Sequence, residues 1–442
     1  RKLRRLRSNT FPAIHGHSTH TGCPRIGFKA VPHRGMLASP CGKNNMKSNE
    51  VKFMKALSDI TIIDLTTAVS GPYCTMMMGD LGAEVIKIEQ VKEGDILRRT
   101  TPHIQEATPV FAAYNRNKKS VVLDIRSPEG VKLIKKLLKN ADVLIDSYQP
   151  GTMKEMGLDY DALKGEFPKL VCVSLTGYGK EGPYAQRPVY EGTLQAECGM
   201  TQSLINDSQG TPYLVGGSIT QYASAYFCMT ATLGALHQTH RTGVGQQVDI
   251  NMYGSLLAMF ALPINDYLFN GVECPVDGNA PQGFIRSKDG WLRLSCGDQP
   301  IWERAVKLMD DPVLNEPQYN DFEVRNQNRE LMLERCELWS RKYTSEEAVH
   351  LFTEAGISGG IVRTIADLRK DPHLMARKSI VEIETAGAGK LPYFASPFRM
   401  NDSPVDYASA PEMGADTDEV LCARAELDRQ EIETLRQAGV IG

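Results

Sequence analysis

The chain contains no run of eighteen apolar residues, no C-x-x-C pair and, over its first 49 residues, no acidic side chain. The first absence leaves no helix able to span a bilayer, so no membrane partner is expected. The second matters because ten cysteines are present. Scattered without metal-like spacing, they suggest reduced thiols in a cytoplasmic protein with no metal site. The third makes the charge uneven: ten Lys and Arg fall in that stretch, so a total net charge of −3 leaves the remainder at −13. A mildly acidic body argues against nucleic acid as the main partner. The 442 residues, 42% apolar and 23% charged, otherwise describe a globular chain of two or three domains.

Residues 1–53 stand apart. Arg1, Arg4, Arg5 and Arg7 open the segment, and His15, His17 and His20 come next. A mitochondrial transit peptide would share the basic, acid-poor composition. Pro12, Pro24, Pro32 and Pro40 interrupt any long amphipathic helix, and Met46 and Met54 stand just ahead of the first strand-like run. The expectation is a disordered leader of upstream or cloning origin, without function, in which the histidines are incidental.

The stretch ITIIDLTTAVSGPYCTMMMGDLGAEVIKIE, residues 60–89, organises the rest of the chain. Ile60 to Leu65 suits a buried strand, and Thr66 to Gly71 a small-residue loop. Pro72 fits the first turn of a helix, where its missing N–H costs nothing. The helix should stop at Gly82, and EVIKIE should restart a strand. This is a βαβ unit whose helix N-terminus is a ready anion site. Its loop holds one glycine, so it is not a Gly-x-Gly-x-x-Gly dinucleotide loop; Gly71 and Pro72 equally suit a bare tight turn.

The alternation continues. Asn115 to Lys119 form a compact basic turn, open to two readings: a phosphate cradle or a solvated hairpin. Val121 to Leu123 suit a strand, Ser127 caps a helix with Pro128 in its first turn, and DVLIDS and KLVCVSLTGYG suit further strands. This pattern predicts an α/β fold with a parallel sheet. Gly177, Gly179 and Gly182 then lie in a loop leading to Tyr190 and Glu191. A long helix should run to Gly243, with Ala223, Ala225, Tyr226, Met229, Leu233 and Leu236 at helical spacing. His237 and His240, near its end, suit the helix dipole better than a metal.

Taken together, IDLTTAVSGPYCTMMMGDLGAEVIKIE, NRNKKSVVLDIRSPEG, ADVLIDSYQPGTMKEMGL, LTGYGKEGPYAQRPVYE, LGALHQTHRTGVGQQVDINM and ETLRQAGVIG resemble the family III CoA-transferases, the group of formyl-CoA transferase and crotonobetainyl-CoA:carnitine CoA-transferase. The resemblance spans nearly all of residues 57–442. It implies a Rossmann-like large domain over 54–275 and 376–442, a smaller α+β domain over 276–375, and an interlocked homodimer, or a heterodimer with a paralogue. It also implies the activity: CoA moves between an acyl-CoA thioester and a free carboxylic acid. The thioester is a substrate, and no tightly bound cofactor is expected. In such chemistry a carboxylate attacks the thioester to form a mixed anhydride, and oriented donors hold the oxyanion.

The resemblance also exposes departures. The position of the family's nucleophilic Asp, in GGSITQYASAY, is Gln221. An amide oxygen carries no full charge and its nitrogen lone pair is delocalised, so it is no substitute. Glu191, after Tyr190, matches a family acidic position and is either a substitute nucleophile or a bystander at a helix start. The cation expected after the second strand is Gln90, the one expected in YQPGTMKEMGL is Glu155 with Lys154 beside it, and no glycine-rich lid is evident in DGNAPQGFIRSKDG. Better matches for CoA binding are Val69 and Ser70, then Leu123, Asp124, Ile125 and Arg126 beside the adenine, then Ser147, Tyr148 and Gln149, and Pro188, Val189 and Tyr190. The racemases of the family use a His before the loop acid and an Asp at the nucleophile position, here Tyr190 and Gln221, which disfavours that chemistry. Three functions remain open: a CoA-transferase, a non-catalytic subunit of a heteromeric transferase, and a CoA-ester binding protein.

Overall fold

A computed structural model describes residues 54–105, 107–203, 210–271 and 280–442. The expected leader, with its His15, His17 and His20, lies outside the described residues.

Six short strands form one parallel sheet: β1 (Thr61–Leu65), β2 (Glu84–Glu89), β3 (Lys118–Val122), β4 (Val143–Asp146), β5 (Val171–Thr176) and β6 (Gln247–Asn251). Their order across the sheet is β3-β2-β1-β4-β5-β6. Winding therefore proceeds outward from β1 in one direction, then reverses at β4, as in doubly wound nucleotide-binding sheets. Strands β1, β2, β4 and β5 are buried almost throughout because both faces of the sheet are covered. Ile62, Val85, Val143, Ile145 and Val173 pack toward helix α1 (Ser70–Asp80) and the long helix Ile219–Thr242. Ile63, Leu65, Ile86, Val121 and Leu144 pack the other way, with helix α3 (Pro128–Leu138) and the C-terminal helices Thr417–Ala425 and Arg429–Gln437.

Most boundaries match the sequence signals. Ser127 Oγ accepts from the Gly130 N–H at 3.0 Å, and the long helix ends on Gly243 in the left-handed region. Two boundaries move: α1 begins at Ser70, so Ser70 and Gly71 are helical and not loop, and β3 begins at Lys118, inside the expected basic turn, and ends at Val122. Gly71 is required by proximity. A Cβ there would lie 2.3 Å from the Thr66 Cβ.

Neither reading of the basic turn at 115–119 holds for its two key cations. Arg116 and Lys118 are buried and committed to carboxylates far upstream. Arg116 grips Asp80 with two hydrogen bonds, at 3.0 and 2.6 Å. Lys118 donates to Asp64 Oδ2 at 3.1 Å, to Asn115 and to the Pro72 carbonyl. Asp64, in the middle of β1, also accepts from Thr66 and Thr75. Burial alone would raise the Asp64 carboxyl, but the Lys118 and Lys87 ammoniums beside it hold it well below the usual range.

A second core is built within residues 285–361. It joins the antiparallel strands β7 (Gln282–Arg286), β8 (Trp291–Ser295) and β9 (Ser358–Ile361) to helices bearing Trp302, Met332, Trp339 and Phe352. The helix Ser345–Glu354 opens on a capping box, Thr344 with Glu347. A hairpin, β10 (Ile380–Thr385) and β11 (Gly389–Phe394), comes after it in the chain.

Candidate functional site

A parallel sheet puts all its strand C-termini on one edge. The reversal between β1 and β4 opens a crevice there, the usual ligand position in such folds. The Thr67 N–H bridges it, donating to Ser147 Oγ at 3.2 Å. On one side lie Val69 and Ser70, at an α1 N-terminus with no acid in its first turn. On the other lie Ser147, Tyr148 and Gln149. Buried Asp146 shapes that turn by accepting from the Tyr148 N–H at 3.1 Å and the Ser174 hydroxyl at 2.7 Å. Burial pushes the Tyr148 phenol up to about 12. A cavity of about 230 Å³ beside them is lined by Tyr148, Gln149, Lys154 and Lys180. The sequence puts Glu155 where a cation was expected; the fold brings the neighbouring Lys154 into the cavity wall. Lys180 was missed because it arrives from the loop after β5.

The remaining candidates divide. Leu123 and Ile125 are core residues with buried side chains, so only their backbone can face a ligand. Asp124 donates its N–H to the Val440 carbonyl at 2.8 Å and accepts from the Arg126 N–H at 3.1 Å. This group sits at the edge strand β3, two strands from the crevice, or about 10 Å. Val189 packs over Gly177, where a Cβ would approach it to 2.5 Å. Pro188 is exposed, and Tyr190 is 78% exposed. Gly177, Gly179 and Gly182 have dinucleotide-loop spacing, but the next helix opens only at Glu191, so their N–H groups form no helix-end cradle.

Gln221 and Glu191 come together. The long helix starts from Gly217 and Ser218, both at positive φ, and Ser218 offers no side-chain cap. Glu191, from the helix Glu191–Glu197, supplies one. Its Oε1 accepts from the Thr220 N–H at 2.9 Å, the Thr220 hydroxyl at 2.7 Å and the Gln195 amide at 2.8 Å. Its Oε2 accepts from the Gln221 N–H at 3.2 Å. The Gln221 amide is half-buried and makes no hydrogen bond to another described residue. Glu191→Ala should cost about 1–2 kcal/mol, as loss of a cap does. Urea unfolding checks this, and an unchanged midpoint would contradict the capping role.

The two halves of the site meet through tyrosines. Tyr222, next to Gln221, packs edge-on against Tyr73 of α1 with ring centroids 5.1 Å apart. Tyr73 lies one turn along from Ser70. The start of the long helix and the start of α1 are therefore neighbours.

The model of CoA-transferase family III matches residues 57–417 of the chain. The alpha subunit of succinyl-CoA–L-malate CoA-transferase from Chloroflexus aurantiacus is 32% identical over 396 residues, covering 87% of this chain and 92% of that protein. The beta subunit from the same species is 29% identical over 403 residues, covering 87% and 98%. Among solved structures, a CAIB/BAIF family protein from Brucella suis superposes with a TM-score of 0.73 at 26% identity, over 85% of this chain and all of that one.

Proposed function

The chain belongs to CoA-transferase family III, and we propose that its Gln221 binds the thioester without attacking it, the covalent carboxylate being supplied by a partner subunit. The activity class is that of the family: movement of CoA between an acyl-CoA thioester and a free carboxylic acid. The thioester is a substrate, and our reading needs no tightly bound cofactor. The two subunits would divide the work between binding and covalent attack.

The covalent route needs a carboxylate oxygen to attack the thioester carbonyl and expel the CoA thiolate. The thiolate then attacks the resulting anhydride at the enzyme carboxyl, releasing the donor acid and leaving an enzyme thioester for the acceptor. Gln221 supplies no such oxygen. Its Nε2–H groups can instead donate to the thioester carbonyl, which is recognition. The observation that carries the proposal is the commitment of Glu191 to the long helix through three bonds, two from Thr220 at Oε1 and one from the Gln221 N–H at Oε2. Acylating Glu191 would neutralise the charge that holds this helix end. In our reading Val69, Ser70, Ser147, Tyr148 and Gln149 line the CoA channel, and Lys154 and Lys180 face its phosphates.

A partner has a surface to meet. The helix Ala261–Asn270 has no buried residue, and Leu262, Leu268 and Phe269 on it are 75%, 70% and 80% exposed. Apolar side chains so bared in a row mark a contact surface. The alpha and beta relatives are named as subunits of one transferase, a precedent for two unlike chains. We take the division into 54–275 with 376–442 and 276–375 as two domains, on the strength of the second core. We place the protein in a reducing compartment such as the cytoplasm, a reading supported by seven free thiols among the described residues. No helix among these residues is long and apolar enough to cross a membrane.

Sedimentation of the purified chain at micromolar concentration should give a dimer, either of itself or with a co-expressed carboxylate-bearing paralogue. A clean monomer under both conditions would contradict the partner reading. CoA exchange over a panel of acyl-CoA donors and free acids should be slow for the chain alone and fast with the paralogue.

A further inference from the structure

We propose that the acyl part of the thioester enters a tyrosine-walled cavity beside Gln221, and that this acyl group is an aryl or arylalkanoyl group, not a dicarboxylate. The proposal rests on the reading of Gln221 as the thioester position. The cavity holds about 600 Å³ between α1, the long helix, helix α2 (Pro109–Asn115) and residues 392–397. That is several times the roughly 150 Å³ in which benzene sits in a dry apolar pocket, so a ring with a side chain has room.

Its walls decide the chemistry. Tyr73, Tyr114, Tyr222, Tyr226 and Phe394 line it. The four phenols pair among themselves, Tyr114 with Tyr222 at 2.7 Å and Tyr73 with Tyr226 at 3.4 Å. Their hydroxyls are thus satisfied, and the rings remain to pack edge-on with another ring. Burial first, then the hydroxyl pairing, pushes Tyr73 and Tyr222 upward, so this wall stays neutral.

Two charged groups reach the cavity, and they cancel. Arg116 and Asp80 both line it, but they are bound to each other twice, and Arg116 also donates to the Phe394 carbonyl at 3.2 Å. A distal carboxylate, as in a succinyl group, would enter without a free counter-ion, which is strongly unfavourable. One polar side-chain atom is left over: Ser396 Oγ, buried in the lining and without a hydrogen-bond partner among the described residues. It suits a single hydroxyl on an otherwise apolar ligand. Position links cavity to site. Tyr222 is the residue after Gln221, and Tyr73 sits one turn from Ser70, so the cavity begins one turn below both helix starts.

The test is calorimetric titration of the full chain with free CoA, succinyl-CoA and phenylacetyl-CoA. Phenylacetyl-CoA should bind at least about tenfold more tightly than succinyl-CoA or free CoA. Ala113→Phe, which narrows the cavity from α2, should abolish that preference and leave CoA affinity unchanged. Equal or tighter binding of succinyl-CoA by the unaltered chain overturns the proposal whether or not the variant folds. If free CoA binds and neither acyl group adds affinity, the acyl assignment alone falls. If none of the three binds, the thioester reading of the site falls with it.

Discussion

Gln221→Asp should raise CoA transfer by the isolated chain about a hundredfold or more, equivalent to about 2.7 kcal/mol off the barrier, while Gln221→Ala should gain nothing. The substitution puts a carboxylate at the third residue of a 24-residue helix, where the helix N-terminus favours an anion. Glu191 is close, its Oε2 accepting from the N–H of residue 221. The new group therefore feels a like charge that raises its pKa against the helix end that lowers it. Only the ionised form attacks, so activity should climb with pH through that pKa and then level. Comparable rates for the Asp and Ala variants would show that residue 221 is not the missing nucleophile.

The largest effect on stability is expected at Asp64. Its carboxylate balances two buried lysines: Lys118 directly, and Lys87, whose Nζ lies 2.8 Å from Asp95 and donates to the Thr66 carbonyl. Asp64→Ala leaves that cluster with excess buried positive charge and should cost about 3–5 kcal/mol. Because this is a large share of a typical folding free energy of about 5–15 kcal/mol, the variant should unfold at much lower urea. The pH dependence has a definite sign. Asp64 is held below its unfolded value of about 3.9, so its contribution is complete above roughly pH 4 and is lost as pH falls through the folded value. Asp64→Asn should flatten that acid limb. A variant of unchanged midpoint and unchanged acid limb would contradict the account of the cluster.

The fold was readable in the sequence because its signals are local. Ile60 to Leu65, EVIKIE and DVLIDS are apolar runs, Ser127 with Pro128 starts a helix, and Gly243 ends one. Strand order is not local, so the crevice between β1 and β4 has no signature in any one stretch. The charged turn at 115–119 misled for the same reason: Arg116 and Lys118 look like surface cations until Asp80 and Asp64, 36 and 54 residues upstream, are brought beneath them. Glu191 was noted as an acid near the site, but its service to a helix that starts 28 residues later, at Ile219, has no sequence signature. The tyrosine cavity draws on α1, α2 and the long helix, so no single stretch of sequence shows it. Lys154 replaces Glu155 at the cavity wall because the short helix Thr152–Glu155 turns the next residue away.

The most direct test of the division of labour is intact-protein mass spectrometry of the purified chain after exposure to an acyl-CoA that it binds. The account predicts an unchanged mass, because Glu191, the carboxylate at the start of the long helix, is committed to capping it. A mass gain equal to a CoA thioester, mapped to Glu191, would contradict it.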